Sequence, residues 1–546
     1  MHDERTPVLI VGGGLVGLST AAFLAWHDVP CLLVERHPDL LIHPRARGFT
    51  PRTVELFRQI GLEPAIRAAS FASGDQFEWV AVRAETLASE EYTPAEEQSD
   101  TGGFGNASPS PFAPIDQDKL EILLRDKAEE LGAGVRFSTE LTSFEQDDDG
   151  VTAVLKDRRS GAQRTVRTDY LVAADGWASP VRDQLGVGTE GPGPFFHTIT
   201  SMIEADLSPA LRGRRVSIAY LQRPRPGTVL MAHDEIGHRW VFGTGYAPEG
   251  ESVENYTDEQ CIQLVRSAAG LPDVKVKLHP QIPGTDLKVL GFAIGAQLAQ
   301  RYCVDRVFLV GDAVHIVPPT GGLGANTGIQ DAHNLAWKLA AVLRGQAGSA
   351  LLDTYHAERY PVGLFSMRQA LARWQSRVGT GGGADNEPLV DYAAVAFGYQ
   401  YRSSAVLGAP EDAAPALLPE ELTGQPGTRA PHMAITLDGR EISTIDLYGR
   451  RWVLLAGANG AAWVSSAERV AQRVDVPLDA YRFGVELVGA EGVAAHGIGT
   501  DGALLVRPDG FIAWRTQATV EDSERKLEHV LSHILCRAPG TPREVA

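Results

Sequence analysis

A glycine-rich turn between a predicted strand and a predicted helix contains the residue types best suited to binding a ligand. An apolar run at 307–310 predicts a buried strand that ends at Gly311 and Asp312. The turn that follows contains Pro318, Pro319, Gly321, Gly322 and Gly324. Prolines restrict the backbone there, glycines permit close approach of a ligand, and helical spacing begins at about Asn326. Such a helix N-terminus suits an anion, or a heterocycle that becomes anionic.

A second glycine pattern lies near the start of the chain. An apolar run at 8–11 predicts a buried strand, and G-x-G-x-x-G follows at Gly12, Gly14 and Gly17. An apolar helix and another strand then lead to Glu35. This arrangement is typical of a site for the ADP-ribose part of a dinucleotide, in which the acid bonds the ribose. The pattern alone does not separate FAD from NAD.

The segment Phe308 to Leu339 resembles the FAD-binding motif of the single-component (class A) FAD-dependent aromatic hydroxylases. Within that family it is similar to the tetracenomycin-type polyketide hydroxylases and to the chlorophenol and phenol hydroxylases. The resemblance covers nearly the whole chain and implies that the first glycine pattern holds FAD. It also implies that Asp312 bonds a ribityl or ribose hydroxyl and that Pro319 lies beside the isoalloxazine ring. The residues expected at the flavin edge are Pro319, Gly324, Ala325 and Asn326, the last three through their backbone.

Other cofactor contacts are carried over from the family by position. Arg45 and Arg47 match an arginine near the FAD phosphates, Gln117 matches a glutamine that contacts FAD, and Asp175 belongs to an Asp-Gly motif between FAD and the nicotinamide nucleotide. The full set expected to contact FAD is Gly12, Gly14, Gly17, Glu35, Arg36, Arg45, Arg47, Gln117, Asp175, Asp312, Gly322, Leu323, Gly324, Ala325 and Asn326.

The resemblance implies an α/β fold of three domains. A Rossmann-like FAD-binding domain spans 1–190 and 289–410, with 73–97 expected in the sheet of the next domain. Alternating strand patterns predict an antiparallel-sheet substrate domain at 191–288, in a p-hydroxybenzoate-hydroxylase-like arrangement. The remainder, 411–546, is expected to be a thioredoxin-like C-terminal domain. It lacks the Cys-x-x-Cys motif that thiol exchange requires, which predicts a structural or oligomeric role and makes a homodimer a further expectation.

Composition excludes several classes of partner. The chain has 546 residues and a net charge of −19 without a basic block, so a nucleic-acid partner is not expected. The uncharged segment 8–26 approaches the length of a membrane span, but its regular glycines favour a strand and a helix, and no membrane association is expected. No metal-ligand pattern is present in the sequence. Four widely separated cysteines indicate reduced thiols in a cytoplasmic protein.

The family chemistry predicts an FAD-dependent monooxygenase that uses NADPH or NADH and O2. In the family, a C4a-hydroperoxyflavin transfers oxygen to an electron-rich ring, and a phenolic polyketide is the expected aromatic substrate. A simple or chlorinated phenol is an alternative. Baeyer–Villiger insertion, epoxidation or another flavin reaction on the same scaffold, a flavin oxidase or dehydrogenase, and a non-catalytic flavoprotein remain further alternatives.

The sequence does not identify the group that activates the substrate. The polar candidates in the substrate domain are Tyr220, His233, His238, Arg239 and Tyr246. A lone His or Tyr on a strand is more often structural than catalytic, so no choice among them is made. Further along, Tyr355, Glu358 and Arg359 match the closing element of the family and are expected to brace helices.

Overall fold

The computed structural model describes most of the chain. The described residues are 3–40, 45–72, 79–95, 104–233, 238–282, 285–379, 387–410, 414–489, 492–518 and 520–537. The helices are α1 (Leu15–Trp26), α2 (Pro51–Gln59), α3 (Glu63–Ala69), α4 (Gln117–Glu130), α5 (Pro180–Gln184), α6 (Ser208–Leu211), α7 (Asp258–Ala269), α8 (Leu323–Leu343), α9 (Asp353–Val378), α10 (Tyr392–Phe397), α11 (Ala461–Val474), α12 (Gly492–Ala495) and α13 (Ser523–Ile534). None of these helices has the length and apolar character needed to cross a membrane.

The strands form two large sheets, one smaller sheet and a hairpin. They are β1 (Glu4–Val11), β2 (Cys31–Val34), β3 (Ala81–Ala84), β4 (Thr93–Pro94), β5 (Gly134–Arg136), β6 (Thr139–Asp147), β7 (Gly150–Asp157), β8 (Gln163–Ala173), β9 (Thr189–Glu204), β10 (Ile218–Leu221), β11 (Thr228–Ala232), β12 (Arg239–Gly245), β13 (Lys277–His279), β14 (Leu290–Ala299), β15 (Cys303–Val304), β16 (Val307–Leu309), β17 (His315–Ile316), β18 (Ala434–Leu437), β19 (Arg440–Ser443), β20 (Trp452–Ala456), β21 (Leu478–Arg482), β22 (Ala503–Val506) and β23 (Ile512–Thr516).

The first sheet has the order β15-β16-β8-β1-β2-β5, with the β6–β7 hairpin attached to β8. Strands β16, β8, β1, β2 and β5 run parallel, and the apolar end of β1 is buried between α1, α4 and α8. The carboxyl ends of parallel strands meet at one edge of a sheet. The chain leaves β1 at Gly12, β2 at Glu35, β8 at Asp175 and β16 at Asp312, so four predicted site residues gather at that edge.

The second sheet has the order β17-β14-β9-β12-β11-β10-β3-β4, and β13 also pairs with β9. One face packs on α7 through an apolar core that includes Leu230, Trp240 and Phe242. The opposite face meets the end of α9 through Tyr220 and Trp374. One face of the second sheet therefore packs in the core of its own domain, and the other face packs against the cofactor-binding domain.

The second sheet extends beyond the boundary predicted at residue 288. Its strand β14 forms a long antiparallel ladder with β9, although the residues after 288 were assigned to the cofactor-binding domain. The boundary was misplaced because β14 is an apolar run, which a parallel buried strand would also show. Strands β3 and β4 lie in the second sheet through pairing of β3 with β10, whereas 73–78 and 96–97 lie outside the described residues.

The C-terminal region contains a four-stranded sheet of order β21-β20-β22-β23. Strand β20 is parallel to β21 and antiparallel to β22. Helices α11 and α13 cover this sheet, and their apolar core also takes in Trp337 from α8. The strand order is compatible with a thioredoxin-like domain, which stays a prediction. All four cysteines of the chain are free thiols.

Buried charges join this C-terminal region to α8 and α9. We call Lys338, Glu358, Arg507 and Asp509 the charge cluster. The Arg507 Nη2 atom donates to Glu358 Oε2 at 2.8 Å, and Lys338 Nζ donates to the same oxygen at 2.7 Å. Burial opposes ionisation of Glu358, but Arg507 and Lys338 outweigh it and hold the Glu358 pKa below its usual range. Each charge is thus stabilised by a partner from another element.

Candidate active site

The first glycine turn leaves space above one of its three glycines. A Cβ atom at Gly12 would lie 2.2 Å from the Ala174 carbonyl oxygen, and one at Gly17 would lie 1.9 Å from the Gly12 oxygen. Those two glycines are needed for packing within the protein. At Gly14 the nearest atom to an added Cβ is Glu121 Oε1, 3.9 Å away. The open side of Gly14 therefore fits a ligand that approaches the backbone, as a dinucleotide pyrophosphate does.

Glu35 lies beside that turn, immediately after β2. Its carboxylate accepts a hydrogen bond from the Gly13 N–H at 2.6 Å and another from the His37 N–H at 2.8 Å. Arg36, the next residue, is exposed. The predicted ribose-binding acid is thus held at the edge of the glycine turn.

The two predicted phosphate-binding arginines occupy different environments. Arg47 is buried, and its Nε donates to Asp116 Oδ1 at 2.6 Å. Its Nη2 also donates to the His233 carbonyl oxygen at 3.3 Å. Arg45 is exposed, and its charge opposes the rise in pKa of both Asp312 and Glu121. Arg45 is therefore better placed than Arg47 to contact a bound anion. Arg47 instead joins α4 to the substrate domain.

Gln117 begins α4 and fastens the arginine-containing segment to it. The Gln117 Oε1 atom accepts from the Ala46 N–H at 3.2 Å, and its Nε2 donates to Glu121 Oε1 at 2.8 Å. Burial raises the pKa of Glu121 to about 7. Sequence reasoning missed Glu121, although its position four residues after Gln117 on a predicted helix is a signal that could have identified it.

Asp175 holds its own turn together. One carboxylate oxygen accepts from Ser179 Oγ at 2.6 Å and the other from the Val181 N–H at 3.0 Å. Arg182 donates to the Ala313 carbonyl oxygen at 3.1 Å, which ties this turn to the segment containing Asp312. The expected contact between Asp175 and FAD stays a prediction.

The second glycine turn ends in α8, which begins at Leu323 and not at Asn326 as predicted. Gly322 adopts a left-handed conformation at φ 62° and precedes the helix without a side-chain cap. The first N–H groups of an α-helix have no partner within the helix, so Leu323, Gly324 and Ala325 present theirs at this end. The Asn326 side chain instead accepts from Thr53 Oγ1 at 2.6 Å.

Asp312 opens onto the same edge of the sheet. No hydrogen bond to its carboxylate is formed within the part of the chain that the structure describes, and the residue is exposed to solvent. The neighbouring acid Asp331, which sequence reasoning missed, is fully engaged. It accepts from the Gly311 N–H at 3.2 Å, from His315 Nε2 at 2.7 Å and from Arg359 Nε at 2.7 Å. Asp331 therefore holds the turn and leaves Asp312 available to a ligand.

The polar residues that were considered as substrate-activating groups lie in different environments. Tyr220 is buried on the sheet face that meets α9, and its hydroxyl accepts from Arg377 Nη1 at 3.1 Å. His238 and Arg239 are exposed. Burial lowers the pKa of His233, whose ring lies 4.0 Å from Asp116, and Tyr246 contacts the His197 ring. We call the surface around Tyr220 the apolar wall, formed by Phe196, Ile218, Tyr220, Val229, Ile294 and Trp374.

Helix α9 connects the second glycine turn to the apolar wall. Thr320 Oγ1 donates to the Ala370 carbonyl oxygen at 2.6 Å, and the Arg373 side chain lies against Gly321. About one helical turn further along, Trp374 packs on Phe196 with ring centroids 5.1 Å apart. The second glycine turn and the apolar wall are therefore neighbours.

Comparison with known proteins agrees with this geometry. Residues 5–370 match the family model described as an FAD binding domain, and 423–538 match the model described as an aromatic-ring hydroxylase C-terminal region. The tetracenomycin A2 monooxygenase-dioxygenase of Streptomyces glaucescens is 42% identical over 99% of both chains. The 4-methyl-5-nitrocatechol 5-monooxygenase of a Burkholderia species is 41% identical over 98% of both.

Solved structures extend the comparison to a complex with ligands. The structure of aklavinone-11 hydroxylase with FAD and aklavinone has a TM-score of 0.89 and 38% identity, and the match covers 98% of this chain and 100% of that one. The glycine turns, the acids beside them and the apolar wall thus occur in a chain that matches these enzymes over almost its full length. The protein belongs to the family of FAD-dependent aromatic-ring hydroxylases.

Proposed function

We propose that this enzyme uses NAD(P)H and O2 to hydroxylate an aromatic ring of a phenolic polyketide. The observation that carries the proposal is the apolar wall, which α9 joins directly to the second glycine turn. An apolar cluster with one polar pair, Tyr220 and Arg377, is the kind of lining that suits a flat, multi-ring phenol. The names of the tetracenomycin and aklavinone hydroxylases among the relatives support the same substrate class.

The side chains of this protein would bind and orient the substrate beside the cofactor. Bound FAD would supply the electron transfer and oxygen activation that side chains cannot perform. Phe196 and Trp374 would hold the ring and exclude water. Because the Tyr220 hydroxyl accepts from Arg377, it can donate a hydrogen bond to a substrate oxygen, which would stabilise the phenolate form. The uncapped N-terminus of α8 would stabilise negative charge on the cofactor edge.

Replacing Tyr220 with phenylalanine is expected to lower kcat for hydroxylation on the order of 10²-fold. The substitution keeps the ring in the apolar wall and removes the hydroxyl that Arg377 contacts. Product formation would be measured together with FAD content, which should not change. Tyr246→Phe is a matched control in the same domain. Equal losses in the two variants would contradict the proposed role of Tyr220.

The reaction itself is tested with labelled oxygen and a panel of aromatic compounds. We expect one atom from ¹⁸O2 in a ring hydroxyl of the product, with NAD(P)H consumed in proportion. Oxygen inserted into a ring ketone or an epoxide would indicate the Baeyer–Villiger or epoxidation alternatives. Reduced oxygen without a labelled organic product would indicate an oxidase. Absence of substrate-stimulated NAD(P)H consumption across the panel would favour a non-catalytic flavoprotein.

A smaller phenol is the second candidate substrate. It is favoured by the relative named as acting on 4-methyl-5-nitrocatechol, which is about as similar to this chain as the tetracenomycin enzyme. A multi-ring phenol should bury more apolar surface on the wall and therefore bind more tightly. Comparison of KM for single-ring and multi-ring phenols separates the two. A lower KM for chlorophenols than for polyketide phenols would reverse the preference.

Asp312→Ala is expected to weaken FAD binding by about 1.5–3 kcal/mol, because a charged acceptor for a hydroxyl is removed. The fold should be retained, since Asp331 and not Asp312 holds the turn. Titration of the apoprotein with FAD, followed by flavin fluorescence, gives the affinity. Asp148→Ala, at an exposed aspartate, is the control. An unchanged dissociation constant would show that the Asp312 carboxylate makes no contact with FAD that contributes to binding.

The remaining assignments are also proposals. Pro319 and the backbone of Gly324 to Asn326 are proposed to lie at the flavin edge, and Arg45 near the phosphates. Whether NADPH or NADH is preferred is decided by the ratio of kcat/KM for the two. A homodimer is tested by light scattering of the purified protein, and a cytoplasmic location by fractionation of the producing cell.

A further inference from the structure

Glu121 is a buried acid at the surface where the cofactor pyrophosphate is expected. It projects from α4 and is 4% exposed. Its Oε1 atom accepts a hydrogen bond from Gln117 Nε2 at 2.8 Å and borders the open side of Gly14. Gly14 precedes α1, whose N-terminus has no side-chain cap and no acid in its first turn. A dinucleotide pyrophosphate binds at such a helix end in this type of turn.

The surroundings of Glu121 favour its neutral form more strongly than water does. Burial is the largest influence and raises its pKa to about 7. Hydrogen bonds from Gln117 and the Leu15 backbone, together with the charge of Arg45, act in the opposite direction, and the charge of Asp118 raises the pKa further. These groups come from α4, α1 and the segment after β2. A second negative charge beside Glu121 would favour the acid form still more.

We propose that Glu121 binds FAD as a neutral carboxylic acid, and that FAD binding is coupled to uptake of a proton at this residue. The ionised carboxylate would repel the negatively charged pyrophosphate, whereas the acid removes that repulsion and offers an O–H donor. FAD therefore raises the pKa of Glu121 above its value in the apoprotein. Affinity is highest below neutrality and falls as pH rises above about 7, by up to about tenfold per pH unit.

Calorimetry on the unmodified apoprotein tests the coupling directly. FAD would be titrated at about pH 7.5 in phosphate and in Tris, two buffers with different ionisation enthalpies. The difference between the two heats gives the number of protons bound, and we expect about half a proton or more. The phosphodiester groups of FAD do not titrate near neutrality, so they do not account for the uptake. Zero uptake from about pH 6 to pH 9 would overturn the proposal.

Variants then locate the proton. Glu121→Gln keeps the shape and a hydrogen-bond donor but cannot ionise, so its FAD affinity should not change with pH and its proton uptake should vanish. At about pH 9 it should bind FAD more tightly than the unmodified protein. Glu130→Gln, at an exposed position of the same helix, is the control and should behave like the unmodified protein. A pH dependence that persists in Glu121→Gln would place the proton elsewhere and overturn the assignment.

Discussion

Purified Gly14→Val protein is expected to be colourless, with FAD retention abolished. A Cβ atom added at Gly14 meets no protein atom closer than 3.9 Å, so the first carbon of a side chain fits there without a clash. The valine side chain would instead occupy the space where backbone and pyrophosphate approach each other. Flavin absorbance per mole of purified protein measures the loss, and circular dichroism reports whether the fold is retained.

Gly250→Val is the matched control for this experiment. Gly250 also has no atom within 4 Å of an added Cβ, but it lies in the substrate domain. Its flavin content should equal that of the unmodified protein. A yellow Gly14→Val protein with the normal flavin content would disprove the placement of FAD at the first glycine turn.

Arg507→Met is expected to lower the free energy of unfolding by about 3–5 kcal/mol, because it leaves buried carboxylates without their partner. Arg507 donates to both Glu358 and Asp509, and all three are almost completely inaccessible to solvent. Lys338 remains beside Glu358 and limits the effect, but it cannot reproduce two hydrogen bonds in a plane. Urea unfolding at a fixed FAD concentration gives the change.

The control for Arg507→Met is Arg473→Met. Arg473 is half exposed and pairs with Glu528 at 2.6 Å and with Glu524 on the surface of the C-terminal region. Surface pairs of this kind contribute little, so no measurable change in stability is expected. Equal destabilisation of both variants would show that the charge cluster has no special role in joining the domains.

Local patterns predicted the strands, turns and helices around the two glycine turns well. Gly12, Gly14, Gly17 and Glu35 are close in sequence, and a strand, a turn, a helix and a strand are enough to place them. The resemblance supplied the family, the fold class and FAD, and the comparisons confirm these predictions. The individual contacts with FAD remain predictions. Whether a side chain is available to bind FAD depends on partners within the protein that are distant in sequence.

Long-range partners account for what the sequence did not reveal. Asp331 is one acid among many in the sequence, yet three donors from separate segments converge on it. Arg47 pairs with Asp116, which the sequence pattern does not show, and its contact with the FAD phosphates stays a prediction. The start of α8 was placed one turn late because Leu323 to Ala325 contain too few residues to show a helical period, and the left-handed Gly322 sets the true beginning.

The charge cluster has a consequence for synthesis of the protein. Lys338 and Glu358 leave the ribosome well before Arg507 and Asp509, which complete their ion pairs. Until then the growing chain carries an apolar patch at Trp337, and Lys338 is the only partner that Glu358 has in the charge cluster. The hydrogen bonds from Asn334 and Trp337 of α8 to Asp509 can therefore form only after translation has passed residue 509.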